Sequence, residues 1–526
     1  MFIKILLLLV FFAVTIFVGF YFKQRASSVN DFVLGGREVG PWLSAFSYGA
    51  TYFSAVVFVG YAGQFGWRFG NAAIWIGIGN ALIGSLLAWI VLGRRTRVMT
   101  NHLKSATMPA FFGTRYVSPA LKIGASIIVF IFLIPYTASL YNGLSRLFEM
   151  AFGIPFIYCI IAMGVLTAIF VVAGGYIATA VNDFIQGSIQ LIGIVAVVVV
   201  AINSQGGLFK AFESLSKVGD EMAGVAAGGF TSIFGPDPVS LIGVLILTSL
   251  GTWGLPQMVA RFYSIKSEKM IGKGAVVSTI FALFVAGGCY FLGSFGRLWS
   301  DSIGVAPNAD GTMMVPVGGF DAVVPTILSG MGEVMIGVVI VLVFAASIST
   351  LSSLVMASSS TLTLDFLKGH IIRNMSDKKQ LLIIRLFIVV FIALSSVIAI
   401  IQVNGGFKDN LKFIADLMGV SWGALAGSFL APFLYGLYWK RATKAAVWCN
   451  FGFSVTIMIL NVLFRSSFPA ILRSPINAGA FVMLAGLIIV PVVSVFTRTP
   501  EKDHVEACFS CYDEKVVDSS ANISSN

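Results

Sequence analysis

Runs of about 20 apolar residues recur from one end of the chain to the other, and that is the length an α-helix needs to cross the hydrocarbon of a bilayer. Reading the runs between polar breaks gives thirteen candidate helices. They lie at 3–22, 42–64, 71–93, 120–150, 155–174, 183–203, 239–260, 272–296, 334–366, 382–402, 411–437, 445–464 and 477–496. Charge excludes a soluble globule. Only 11% of the 526 residues are charged while 57% are hydrophobic, and mean hydropathy is +0.93. A soluble domain carries about 25% charged residues to wet its surface. The chain is therefore expected to be an all-α polytopic membrane protein, multi-pass in the plasma membrane, with the lipid bilayer as its first partner. The run that opens the chain ends in Phe20-Tyr21-Phe22 without an Ala-x-Ala site, so it is read as a retained helix and not a signal peptide.

Charge asymmetry orients these segments. With the amino terminus outside, one set of loops collects Arg94, Arg95, Arg97, Lys104, Arg115, Arg261, Lys266, Lys269, Lys273, Lys368, Arg373, Lys378, Lys379, Lys440, Arg441 and Lys444. The opposite loops carry Glu213, Asp220, Glu221, Asp237, Asp301, Asp310 and Asp321. Lys and Arg stay on the cytoplasmic side, which predicts amino terminus out and carboxyl terminus in. The net charge of +11 is spread over these loops, so no basic domain exists and nucleic acid is not an expected partner. Residues 1–500 read as a single transmembrane domain. The long outside loops near 204–238 and 297–333 are expected to hold short helices over the entrance. The Ser- and charge-rich tail, 501–526, is expected to be disordered. Cys508 and Cys511 make a lone CxxC in that tail, a weak pattern for metal or redox chemistry without a second pair.

Two of the segments are interrupted. Ser47-Tyr48-Gly49-Ala50-Thr51-Tyr52-Phe53-Ser54-Ala55 is small and polar, and five helices later comes Gly251-Thr252-Trp253-Gly254-Leu255-Pro256-Gln257. Proline has no amide proton to continue a helix. Breaks at corresponding positions of two halves mark the binding site in transporters built from inverted repeats, and a five-helix offset suits a five-plus-five repeat over 42–437. Packing glycines are the competing explanation for either break alone.

Ala345-Ala346-Ser347-Ile348-Ser349-Thr350-Leu351-Ser352-Ser353 adds an oxygen-rich surface. At 3.6 residues per turn, Ala346, Ser349, Thr350 and Ser353 share one face. Neutral hydroxyls, joined by carbonyls from a broken helix near Ala50 and Phe53, suit a hard monovalent cation such as Na+. A transition metal would want His or Cys. Serines bonded back to their own helix would give the same pattern without an ion.

These features, with Gly35-Gly36-Arg37, Gly174-Gly175-Tyr176 and Val181-Asn182-Asp183 in the same order, resemble the sodium–solute symporter family over about Val33 to Arg498. The resemblance implies a LeuT-type fold of thirteen helices and a sodium site made by the carbonyls of Ala50, Phe53 and Ala346 with the hydroxyls of Ser349 and Thr350. Some members hold a second sodium; the matching positions here are Asp183, Ser349, Ser352 and Ser353, with helix capping after Asn182 as the rival role for Asp183.

Within the family the proline-transporting branch is nearest, on Trp75–Trp89, Gly93-Arg94-Arg95-Thr96-Arg97, Tyr136-Thr137-Ala138-Ser139 and Pro256–Phe262. The solute site it implies comprises Tyr52, Ser54, Tyr136, Thr248, Thr252, Trp253 and Gln257. The wall departs from that branch, since Tyr52 replaces an acid and Thr248 and Thr252 replace aromatics. No Arg or Lys is expected mid-membrane beside both breaks. The expected function is sodium-coupled symport of proline or a similar amino acid, with a monocarboxylate, pantothenate, a sugar or sialic acid as alternatives. A channel would need no paired breaks, a sensor would need a longer tail, and an enzyme would need a polar catalytic set. The three histidines, His102, His370 and His504, all fall in loops or tail, and no HExxH, GxSxG or Walker pattern occurs.

Overall fold

The structure is a computed structural model and describes residues 2–22, 28–308, 311–368, 370–372, 374–403 and 414–512. Its helices in chain order are α1 (Phe2–Tyr21), α2 (Pro41–Tyr52), α3 (Val56–His102), α4 (Pro119–Phe152), α5 (Phe156–Ser204), α6 (Pro238–Gly254), α7 (Pro256–Ser264) and α8 (Ile271–Ser294). They continue with α9 (Glu333–Thr361), α10 (Asp377–Val403), α11 (Ile414–Tyr438), α12 (Lys444–Leu463), α13 (Pro475–Phe496) and α14 (Lys502–Phe509). Among the described residues ten helices are long and apolar enough to cross a membrane, and the pair α6 and α7, bent by 47°, makes an eleventh.

The difference from thirteen separate segments has a backbone cause. The end of the segment near 42–64, beyond α2, and the segment 71–93 share α3, which turns at Gly70 with φ 57°. The segments 155–174 and 183–203 share α5, which bends at Gly175 with φ 61° and ψ −165°. Glycine takes positive φ without steric cost, so each helix changes direction at one residue.

Burial sorts the helices. Helix α11 is 94% buried over its apolar window and α9 is 72% buried; α9 packs on α4, α5 and α2, and α11 on α4, α12 and α13. Helix α10 instead exposes Leu382, Leu386, Val389, Val390, Leu394 and Val397. That is an apolar stripe at helical spacing, turned to the hydrocarbon. Helix α1 packs on α5 and α9, with Phe12 edge-on to Phe344 at 5.1 Å and Asn182 donating to the Thr15 carbonyl at 3.2 Å. Where α3 crosses the end of α8, a Cβ on Gly66 would fall onto the Gly293 backbone. Small residues let membrane helices approach this closely.

The loops at that end of α8 form a cap. Its parts are the helices Leu208–Ser216 and Val323–Ser329 and the antiparallel hairpin Val305–Pro307 with Met314–Pro316. Buried Arg297 pairs with Asp220 at 3.1 Å, donates to the Trp67 carbonyl at 2.8 Å and lies 3.9 Å over the Phe230 ring. Burial pushes Arg297 down to about 10 and Asp220 opposes that shift, so the guanidinium stays charged at neutral pH.

The expectation of a disordered tail fails over 501–512. Helix α14 and the turn after it dock on the face that carries Arg94–His102 and the short helix Met108–Arg115. Arg95 sits between the rings of Tyr438 and Tyr512 at 4.1 and 4.6 Å, and Arg115 lies 5.0 Å over Phe509. His102 bonds the Ala507 carbonyl at 2.9 Å, and His504 bonds the Thr114 carbonyl at 3.0 Å. Each cation–π contact contributes about 0.5–1 kcal/mol, and together they bury Val505, Cys508, Phe509 and Cys511. Local polarity alone did not reveal these long-range aromatic partners. The remainder of the tail lies outside the described residues.

In a Cys449→Ser background, Cys508 and Cys511 should react slowly with a thiol reagent, and Phe509→Ala with Tyr512→Ala should speed labelling several-fold. Equal rates with and without the two aromatic residues would show that the tail is not held by this contact.

Candidate functional site

Helix α2 starts on Pro41 and stops at Phe53, whose φ of −105° and ψ of 107° are extended. Ser54 then starts the next stretch: its carbonyl accepts from Val57 and Phe58 at 3.0 and 3.1 Å, and its hydroxyl from Val56 at 3.2 Å. A helix that stops leaves its last carbonyls without amide partners, and inside a membrane each orphan costs several kcal/mol. Helix α9 supplies the partners. Ser349 donates to the Ala50 carbonyl at 2.9 Å, and Thr350 lies 3.3 Å from the Ala50 carbonyl and 3.1 Å from that of Thr51. Both hydroxyls also reach the Ala346 carbonyl at 3.1 Å.

Five neutral oxygens thus converge, all on buried residues. Of the expected set, Ala50, Ala346, Ser349 and Thr350 are brought together and Thr51 is added. Phe53 stands beside them and lines a small cavity with Ser54 and Ala346. Among the described residues no group of three His, Cys, Asp or Glu side chains gathers to hold a metal. The oxygens suit a monovalent cation and not a transition metal.

The second break is a sharp bend. Leu255 is extended with ψ 120°, and Pro256 opens α7. Gly254 is needed here, because a Cβ would come within 2.8 Å of the α11 backbone at Ala426. Four of the expected solute residues gather around a residue the sequence reading missed. Tyr52 donates to the Thr248 carbonyl at 2.5 Å and stacks toward Trp422, with ring centroids 6.2 Å apart. Tyr136 meets the same indole edge-on at 5.9 Å and neighbours Ser54. Trp422 stands on the most buried helix, and small neighbours, Ser421 and Gly423, mask it in the sequence. Thr252 and Trp253 donate instead to the carbonyls of Gly84 and Ile83 at 3.0 Å each. Gln257 turns elsewhere again. It opens onto a cleft lined also by Thr107, Tyr176, Arg261 and Ser353.

That cleft holds the main correction. Arg261, read from the sequence as a loop cation, is 2% exposed and lies beside both breaks. Its Nη2 donates to the Thr51 hydroxyl at 2.7 Å, to the Asp183 carboxylate at 3.2 Å and to the Ser353 hydroxyl. Asp183 also accepts from Ser47. Asp183 does not start a helix: α5 resumes after Gly175, so helix capping is not its role. Ser353 joins this group, whereas Ser352 bonds back to the Ile348 carbonyl at 2.8 Å. The signal was present, since an acid within an apolar run needs a cation. Arg261 was the nearest candidate by sequence pattern, five residues past Pro256 among apolar neighbours. A bend of α7 toward α5 was needed to bring the two together.

The chain matches the model of the Sodium:solute symporter family over residues 32–451. It is 27% identical over 509 residues to the osmoregulated proline transporter of Bacillus subtilis (strain 168), covering 94% of each chain. It is 30% identical over 455 residues to a sodium/proline symporter of Staphylococcus aureus (strain JH9), covering 84% of this chain and 82% of the relative. Among solved structures it shares its fold with a Na+-coupled sialic acid symporter in a substrate-bound outward-open state. The TM-score is 0.73 at 19% identity, over 95% of this chain and 99% of that one.

Removing one member of a buried pair leaves the other uncompensated, at about 3–5 kcal/mol. Arg261→Gln and Asp183→Asn should each lower the melting temperature of the purified protein, and the double variant should recover part of the loss. Additive losses would mean that the two charges do not interact.

Proposed function

The chain belongs to the sodium:solute symporter family, and from that premise we propose that it couples inward movement of sodium to uptake of proline or a similar small amino acid. The observation that carries the sodium part is the meeting of the Ser349 and Thr350 hydroxyls with the Ala50 carbonyl at the end of α2. A bound ion takes the lone pairs of Ala50, Ala346, Ser349 and Thr350, with Phe53 adding its carbonyl, and so ties the broken helix to α9. Proline is favoured because two relatives that cover most of the chain are named for it. Tyr52, Ser54, Tyr136 and Thr248 with Trp422 form the solute wall, aromatic with a few polar groups, as small-ligand sites usually are.

The finer topology belongs to the same reading. Dividing α3 at Gly70 and α5 at Gly175 gives thirteen spans. The breaks after α2 and α6 fall at matching places of a five-plus-five repeat. The Lys- and Arg-rich face is cytoplasmic, with the amino terminus outside and the carboxyl terminus inside. The cleft lined by Thr107, Gln257 and Arg261 is then the route by which the ion and solute leave. Arg261 balances Asp183 one turn from the neutral oxygens. That pairing favours a single sodium ion per cycle over a second one at Asp183 and Ser353, so uptake should be first order in sodium. Linkage requires sodium and solute to tighten each other's binding by the same factor.

In proteoliposomes, an inward sodium gradient should drive saturable uptake of labelled proline that an equal potassium gradient does not. Ser349→Ala or Thr350→Ala should raise the half-saturating sodium concentration about tenfold without reducing the folded protein. Unchanged sodium dependence in both variants removes this site. Sodium-driven flux of another solute without proline uptake withdraws proline and keeps the symporter.

A further inference from the structure

A buried amide needs a partner for its donor and another for its acceptor, and each one left unmade is destabilising. Among the described residues, only Gln186 and Gln190 leave both atoms of a buried side-chain amide unpartnered. They stand one turn apart on α5, on the face that also carries Asp183. Gln190 is 1% exposed and lines a narrow cavity with Phe53, Ser54 and Ala346, walled otherwise by apolar side chains such as Val285 and Leu342. Two of those residues, Phe53 and Ala346, belong to the carbonyl set assigned above to sodium. Leu or Met would fill such a wall at lower cost than an amide with nothing to bond. A group that brings one free oxygen and one free N–H to a cavity shared with Phe53 and Ala346 fits a ligand that comes and goes, and a partly hydrated monovalent cation has the complementary chemistry.

We propose that Gln190 is an additional ion-binding residue: its Oε1 takes sodium in the cavity between Phe53 and Ala346, and its Nε2 donates to a water that travels with the ion. The ion then passes to the oxygens of Ala50, Ser349 and Thr350, leaving that water behind. This assignment rests on the sodium reading above. It adds a residue from α5 to a site otherwise built from α2 and α9.

The test is the melting temperature of the purified full chain against sodium chloride, with potassium chloride holding ionic strength constant. Wild type, Gln190→Leu, Gln190→Glu and Ser349→Ala are compared. Gln190→Leu should need about tenfold more sodium for half of the stabilisation. Its sodium-free melting temperature should equal or exceed that of wild type, because the orphan amide is gone. Gln190→Glu keeps the oxygen and adds charge, so it should saturate at or below the wild-type concentration. Gln190→Leu saturating like wild type overturns the proposal, as does equal weakening in Gln190→Leu and Gln190→Glu, which would trace the effect to packing. Wild type without any sodium response, or Ser349→Ala responding as wild type does, overturns the sodium reading itself, and this proposal falls with it.

Discussion

Everything central to this structure follows from stopping a helix where no water can reach its end. The last carbonyls of α2 lose their amide partners at Phe53, and the membrane interior makes that loss expensive. Two hydroxyls of α9, Ser349 and Thr350, turn onto Ala50 and Thr51 and supply what the helix gave up. The same arrangement concentrates neutral oxygens at one point, so the structural repair and the proposed ion site are one feature. A continuous α2 would need neither the serines nor the small residues facing them.

The second constraint is electrostatic. Asp183 is buried within α5 and requires a cation, and the bend between α6 and α7 brings Arg261 to it. A buried pair of this kind adds little net stability, because desolvation offsets the attraction. Its value lies in specificity of arrangement. One guanidinium nitrogen connects Thr51 of α2, Asp183 of α5 and Ser353 of α9, so none of these helices can shift without breaking hydrogen bonds to a buried charge. Arg261 and Ser353 of this network also stand in the wall of the cleft.

The aromatic wall shows a different limit. Tyr52 and Tyr136 were legible because each lies beside a recognisable break or motif. Their common partner, Trp422, comes from a helix far further along the chain and is set among small residues like any packed indole. Thr252 and Trp253 sit in the same broken segment as Gln257, yet the bend sends the first two onto α3 and the third into the cleft. Adjacent positions in an unwound stretch do not share a face, because no helical period relates them. The docked tail repeats the lesson: Phe509 and Tyr512 look like stray aromatics in a polar segment until Arg95 and Arg115 are placed beneath them.

The sequence by itself determined the lipid-facing class of the chain, the two interruptions, and the oxygen-bearing face of α9. Each of these is a local property, written in hydropathy, in backbone-breaking residues and in helical period. The tertiary structure alone decided which carbonyls meet the Ser349 and Thr350 hydroxyls, that Arg261 is buried against Asp183, and that Gln190 lines a cavity with Phe53 and Ala346. Those facts depend on how helices far apart in the chain cross, and crossing is set by close packing at residues such as Gly66 and Gly254. No one-dimensional pattern records it, because the same glycine serves equally as a turn, a gap or a contact until its neighbour arrives.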